Sequence, residues 1–216
     1  MRHVPRALFI VTVLFAGACA SWSNKQKGAV IGAAAGAAAG GLVGRANGST
    51  ARGAIIGAAV GGTAGAIIGH QMDQQAKELQ VAIPGATVER VGEGIQVTFA
   101  SGLLYDFDSD AIRPDAAANL QKLATSLKKY ADTELLIVGH TDALGSTAYN
   151  QDLSARRASS ASRYLMSQGI RGDRMTTSGR GEAEALGTNE TEAGRQINRR
   201  IEVAIFAGRA ARTGSR

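Results

Sequence analysis

The residues most able to do chemistry lie between positions 139 and 157, in the run GHTDALGSTAYNQDLSARR. Residues 135–138 just before it are apolar and end in β-branched side chains, which predicts a buried strand. Residues 139–146 read as a turn, and from Thr147 onward the residues favour helix. Asp142 then sits where a strand ends, and Arg157 lies a few turns along the next helix. A carboxylate and a guanidinium so placed could face one cleft and bind both ends of a small zwitterion. The plainer alternative is that Asp142 caps the helix and Arg157 is a surface charge. His140 beside Asp142, with serines nearby, could suggest a hydrolytic triad. No nucleophile motif accompanies them, so His140 reads as a structural hydrogen-bonding group at a strand end. There is no G-x-x-x-x-G-K-[ST] and no H-E-x-x-H. No cofactor, no metal site and no enzyme activity are expected.

The elements that must hold these residues follow the same hydrophobic bookkeeping. Residues 87–91 and 95–99 alternate around Gly92-Glu93-Gly94 and predict a strand pair. Residues 103–107 are expected to continue as strand. Leu120, Leu123, Leu127 and Tyr130 recur at helical spacing behind Pro114, so residues 114–130 form a helix. A strand is expected at 134–139, a helix at 147–168 stopped by Gly169, and a strand at 175–178. A short helix at 191–198 and a final strand at 200–206, alternating Ile201, Val203 and Ile205, complete the pattern. Strands alternating with helices give a two-layer α/β sandwich.

HTDALGSTAYNQDLSARRAS, followed by GRGEAEALGTNETEAGRQINRRIEV, resembles the C-terminal peptidoglycan-binding domain of the OmpA family. The resemblance spans about residues 94–206, in three blocks in the right order. It implies an OmpA-like βαβαβ(αβ) sandwich that holds the diaminopimelate group of the wall peptide non-covalently. It assigns Asp142 to the ligand ammonium and Arg157 to its carboxylate. By the same resemblance Asn150, Arg199 and Asp108 line the pocket. Ala185 stands where relatives often carry proline, a loop difference that leaves the pocket intact.

Upstream, residues 1–18 read as a secretory signal, with Arg2, His3 and Arg6 ahead of an apolar core and a small-residue zone. Cys19 follows, the only cysteine in 216 residues, which excludes an internal disulfide. The segment resembles a bacterial lipoprotein signal, implying that residues 19–27 are a lipidated N-terminus at the outer membrane. Residues 28–69 repeat: glycine falls every fourth position over 28–44 and again, 25 residues later, over 53–69. In lipid the backbone must satisfy its own hydrogen bonds, and glycine at this period lets two helices approach closely. The repeat resembles the glycine-zipper two-helix hairpin of envelope lipoproteins. Membrane contact through Cys19 and residues 28–69, and self-association through the zipper, are therefore expected. Each arm of 17 residues would span about 25 Å as helix, short for a bilayer. Residues 70–93 read as a linker with a short helix and a strand, residues 94–206 as the domain, and 207–216 as a disordered basic tail.

Net charge is +6 and the pI about 9.8. The excess is dispersed and aromatics are only 5%, so no nucleic-acid platform is present. The expected function is tethering of the outer membrane to peptidoglycan. Two alternatives share the domain: a membrane-active zipper oligomer, and a stator-like motor element. The second would need an acidic residue in a membrane helix, and neither glycine-rich arm has one.

Overall fold

The computed structural model describes residues 49–60, 66–106 and 108–208. The signal, Cys19, the first glycine-rich arm and most of the basic tail lie outside the described residues. In chain order the elements are α1 (Thr50–Val60), α2 (Ala66–Ala82), β1 (Ala86–Val91) and β2 (Gly94–Ala100). A one-turn helix, Ser101–Leu104, leads to α3 (Pro114–Lys129) and β3 (Thr133–Gly139). α4 (Thr147–Ser167), β4 (Met175–Gly179), α5 (Glu192–Asn198) and β5 (Arg200–Ala207) complete the fold. The strands form one mixed sheet in the order β1-β2-β5-β3-β4. β3 and β4 are parallel, joined by α4 as the crossover, and every other pairing is antiparallel.

The helices begin and end where local chemistry directs. Pro114 opens α3, with Asp115 in its first turn and Lys128 and Lys129 in its last, as the helix dipole favours. The Ser146 hydroxyl caps α4 by accepting from the Tyr149 N–H at 3.2 Å. Gly169, at φ +88°, follows that helix in the left-handed conformation glycine adopts without penalty.

Alternation along the central strands gives the sheet two buried faces. Leu135 and Ile137 of β3 join Ile201, Val203 and Ile205 of β5 in the main core, with Leu120, Leu123 and Leu127 of α3 and Ala161 and Leu165 of α4. Met72, Ala76 and Leu79 of α2 and Ile83 after it enter the same core. Gln75 of α2 donates to the Ser126 hydroxyl of α3 at 3.2 Å. The opposite face carries Leu136, Val138, Ala204 and Phe206, and these pack against Ala51, Ala54, Ile55 and Ala58 of α1.

Several expectations change here. The sandwich gains a third layer, because α1 covers the face expected to be open. The 94 boundary does not divide the chain, since β1 pairs with β2 throughout and α2 is packed into the main core. β5 runs on to Ala207, and the Gly208 N–H donates to the Asp132 carbonyl at 2.7 Å, so the tail starts later than position 207. Residues 101–104 form a helical turn instead of a strand, tied by the Ser101 N–H to the Arg199 carbonyl at 2.8 Å. Strand character returns only in the isolated bridge between Tyr105 and Ile112. Among the described residues no helix is long and apolar enough to cross a membrane.

Candidate functional site

Register puts the candidate residues at one end of the sheet. Ala100 lies opposite Arg200, and Gly139 lies between Ile201 and Gly179. Four strands therefore deliver their neighbouring loops to the same edge: 101–112 after β2, 140–146 after β3, 180–191 after β4, and Arg199 before β5. α4 starts at this edge and crosses β3 at very close range. A Cβ on Gly139 would lie 2.1 Å from the Ser154 carbonyl oxygen, and one on Gly179 would lie 2.6 Å from the Ala155 nitrogen. Only glycine permits this approach, and it fixes where Asn150 and Arg157 stand.

Asp142 is 7% exposed. One carboxylate oxygen accepts from the Leu144 N–H at 3.0 Å and the other from Arg199 Nη1 at 2.6 Å. The capping alternative is thereby excluded, because Ser146 caps α4. Arg199 also bonds Glu192, so two carboxylates hold it. Burial disfavours its charge, but these two partners raise its pKa above the usual arginine value.

Arg157 is 5% exposed and is not a surface charge. Its Nε donates to the Ser109 carbonyl at 2.8 Å, Nη1 to the Ser101 hydroxyl at 3.3 Å, and Nη2 to the Asp106 carbonyl at 3.3 Å. The guanidinium stands 5.3 Å from the Tyr105 ring centroid, and the Tyr105 hydroxyl donates to the Arg157 carbonyl at 2.7 Å. Burial lowers the Arg157 pKa, with Tyr105, Asp108 and Asp110 opposing, and a guanidinium in such surroundings stays charged. Asp108 lies in the turn that Arg157 clasps, at φ +55°, a conformation aspartate tolerates better than most residues. Its side chain is exposed. Asn150 is 2% exposed and donates to Glu182 at 2.6 Å.

Thus Asp142 and Arg199 are joined directly, Arg157 and Asp108 share the 101–109 segment, and Asn150 attaches to the 180–191 loop. No hydrogen bond joins Asp142 to Arg157. Sequence reasoning missed the residues that tie the loops together. Glu182 also accepts from Thr147 at 2.8 Å, Asn189 accepts from the Ala143 N–H at 3.1 Å, and the Thr141 N–H donates to the Gly181 carbonyl at 2.9 Å. Asn198 is fully buried, and its side-chain oxygen accepts from the Leu186 and Gly187 N–H groups at 2.8 Å each. Beside Asp142, the buried Thr141 hydroxyl has no partner. Only the spacing of GRGEAE and of the final N-R-R block hinted at these roles.

His140 also departs from expectation. It is fully buried, and its ring nitrogens lie 4.0 Å from Glu184 and 3.7 Å from Glu202, beyond hydrogen-bond distance. Burial pulls its pKa below the ordinary histidine value. Burial would raise the Glu202 carboxyl, but its polar neighbours prevail and hold it below the usual carboxylate range. With His140 neutral, Arg200, whose Nε donates to Glu202 at 2.8 Å, is the cation that keeps Glu202 ionised.

A mixed sheet with helices of this kind is the fold of OmpA-like domains. The sequence agrees: residues 104–199 match the OmpA family model, and residues 1–73 match the YMGG-like Gly-zipper. Among similar curated proteins, outer membrane porin F of Pseudomonas fluorescens is 39% identical over 103 residues. That match covers 48% of this chain and 32% of the porin. The Escherichia coli (strain K12) protein named "Probable lipoprotein YiaD" is 33% identical over 138 residues, 63% of each chain. The first relatives are thus matched over less than two thirds of their own length. Among solved structures, the cell wall anchor of the T6SS from Pseudomonas aeruginosa superposes with a TM-score of 0.53 at 28% identity. That superposition covers 63% of this chain and 96% of the other. The periplasmic domain of Helicobacter pylori MotB superposes with a TM-score of 0.53 at 22% identity, over 59% of this chain and 82% of the other, a likeness of fold.

Proposed function

We propose that this chain binds peptidoglycan non-covalently through the diaminopimelate end of the wall peptide, and that it tethers an outer membrane to the wall. The observation that carries the reading is the loop edge of the sheet, where Asp142 offers a buried carboxylate and Arg157 and Arg199 offer guanidinium groups. A ligand bearing both an ammonium and a carboxylate matches those charges. The ammonium would share or take over the Asp142 oxygen now held by Arg199, freeing Arg199 for the ligand carboxylate. Asn150 and the unpartnered Thr141 hydroxyl supply further polar contacts. The role is binding and not catalysis. The names of the similar proteins, an outer membrane porin, a lipoprotein and a cell wall anchor, support an envelope location with this domain in the periplasm. Cys19 is proposed as the lipidated residue, and residues 28–69 as a further membrane or self-association element.

The test is sedimentation of the chain with purified wall sacculi, comparing diaminopimelate-containing walls with walls carrying lysine instead. Charge-assisted hydrogen bonds of this kind are worth about 1.5–3 kcal/mol, roughly tenfold to a hundredfold in affinity. Asp142→Ala should lose that much on diaminopimelate walls while keeping its fold. A folded Asp142→Ala protein that binds as the parent does would end the assignment. The fold shared with MotB is no more than that, and the acid-free glycine arms give the motor reading nothing further.

A further inference from the structure

The second glycine-rich arm has a use here that its composition does not suggest. Ser49 caps α1, its hydroxyl accepting from the Arg52 N–H at 3.2 Å while donating to Glu202 at 3.1 Å. The Thr50 N–H donates to one Glu184 oxygen at 3.0 Å, and the Thr50 hydroxyl donates to the other. Arg180 Nε reaches the Thr50 hydroxyl at 2.8 Å and Glu184 at 3.5 Å. Arg200 donates to the Glu184 carbonyl at 3.0 Å. Further along, Arg52 Nε donates to Gln96 at 3.0 Å and Arg52 pairs with Glu89 at 2.6 Å, so both ends of the sheet's width hold the helix. Between these polar anchors, Ile55 lies where any side chain on Gly94 would stand: a Cβ there would be 2.5 Å from Ile55 Cγ2.

Glu184 belongs to the same loop that serves the ligand site. Within nine residues of that loop, Gly181 accepts from Thr141, Glu182 holds Asn150 and Thr147, and Asn189 accepts from Ala143 beside Asp142. One loop is thus gripped on its far side by α1 and on its near side by the candidate pocket. The apolar contacts of α1 form a cluster separate from the main core, so the helix can leave without dismantling the domain.

We propose that α1 is a detachable cover on the outer face of the sheet, and that its docking is coupled through Glu184 and the 180–191 loop to ligand affinity at Asp142 and Asn150. The ligand half of this inference rests on the proposed function. Docked, the cover orders the loop and ligand binds tightly. Released, Glu184 loses two donors, the loop loosens and affinity falls. Residues 53–60 cannot at once lie on the sheet and take part in a zipper hairpin, so whatever recruits them into the hairpin weakens the grip on the wall.

Hydrogen exchange on the full chain, with and without a soluble muropeptide containing diaminopimelate, tests this. Ile55→Asp places a charge in the buried contact and should speed exchange both in 50–60 and in 180–191 while the main-core strands stay protected. Muropeptide affinity should fall about fivefold or more, the low end of usual coupling between sites. Thr50→Val, which keeps the helix and removes the hydroxyl, should shift both readouts the same way by less. Asp142→Ala should weaken muropeptide binding by roughly tenfold to a hundredfold and leave 50–60 protected. Fast exchange of 50–60 in the parent, or release of 50–60 by Ile55→Asp with the 180–191 loop unchanged, overturns the coupling. If the parent itself ignores the muropeptide, the proposed function fails, and the joint exchange response still decides whether cover and loop are linked.

Discussion

Replacing Arg157 by alanine measures how much of the 101–109 segment's order rests on its guanidinium. The guanidinium is 5% exposed and makes one short hydrogen bond of 2.8 Å and two long ones of 3.3 Å, all into the 101–109 segment. A good charge-assisted bond contributes about 1.5–3 kcal/mol, and the longer pair much less. The Tyr105 ring at 5.3 Å adds about 0.5–1 kcal/mol. Against these stands the release of a guanidinium from burial, and the freed Asp106 and Ser109 carbonyls can regain water. The net loss is roughly 2–4 kcal/mol, inside the usual 5–15 kcal/mol stability of a domain, so the protein stays folded. In urea, with a slope of about 1–3 kcal/mol per molar, the midpoint should drop by about 1–2 M. Hydrogen exchange should accelerate selectively over 101–112. Arg157→Lys should recover little, because one ammonium cannot span three acceptors set in a fork. If Arg157→Ala unfolds at the parental midpoint with 101–112 still protected, the clasp is not structural and this reasoning fails. If the loss appears, weakened wall binding in the variant must be divided between a missing ligand contact and a loosened wall of the pocket. Asp142→Ala is therefore the cleaner probe.

Gly139→Ala should cost about 3 kcal/mol or more in chemical denaturation, since its Cβ would meet the Ser154 carbonyl at 2.1 Å and push α4 from β3. Acid should weaken the fold in two stages. His140 is held neutral, so as pH falls below about 6.5 the unfolded chain takes up a proton that the folded chain refuses, and stability drops by up to about 1.4 kcal/mol per pH unit. A His140→Gln variant should lack that slope in denaturation curves collected between pH 7.5 and 5.5. Glu202, held ionised by Arg200, should contribute a second loss as pH falls below about 4.5, and Glu202→Gln should remove it. Leu123→Ala in the main core should lose about 2–5 kcal/mol with no preferential exposure of α1, because the two apolar clusters are separate.

Much of the main layer could be read from periodicity. Leu120, Leu123 and Leu127 announce α3, and Ile201, Val203 and Ile205 announce the inner face of β5. What periodicity hid was the other face of that strand. Arg200 and Glu202 alternate with the apolar residues as a solvated face would, yet both are buried, paired with each other and bonded to Ser49, Glu184 and Asn198. A charge read as solvent-facing and a buried, paired charge leave the same pattern in sequence. Nor did the glycine period of the second arm announce that α1 lies on the sheet. Small residues at helical spacing let a helix lie close to any flat surface, and a sheet serves as well as a second helix in lipid. Within the candidate site, Asp142 and Arg157 were visible through their motif, but their partners were not. Arg199 lies 57 residues from Asp142, and Arg157 bonds a segment about 50 residues upstream, distances that only folding connects.

The docking of α1 also decides where a mechanical load would enter. With Cys19 as the proposed anchor and the far end proposed to grip the wall, tension would enter the described part of the fold at Ser49, 30 positions along the chain from Cys19. Ser49 and Thr50 hold on through Glu202 and Glu184, at the end of the helix from which a pull would peel it. Peeling residues 49–60 would pay out up to about 40 Å of contour, at about 3.3–3.6 Å per residue. The next element, α2, is sunk in the main core through Met72, Ala76 and Leu79. On the proposed function, α1 would give way ahead of the main core, so separation of membrane and wall would lengthen the chain before it strains the domain.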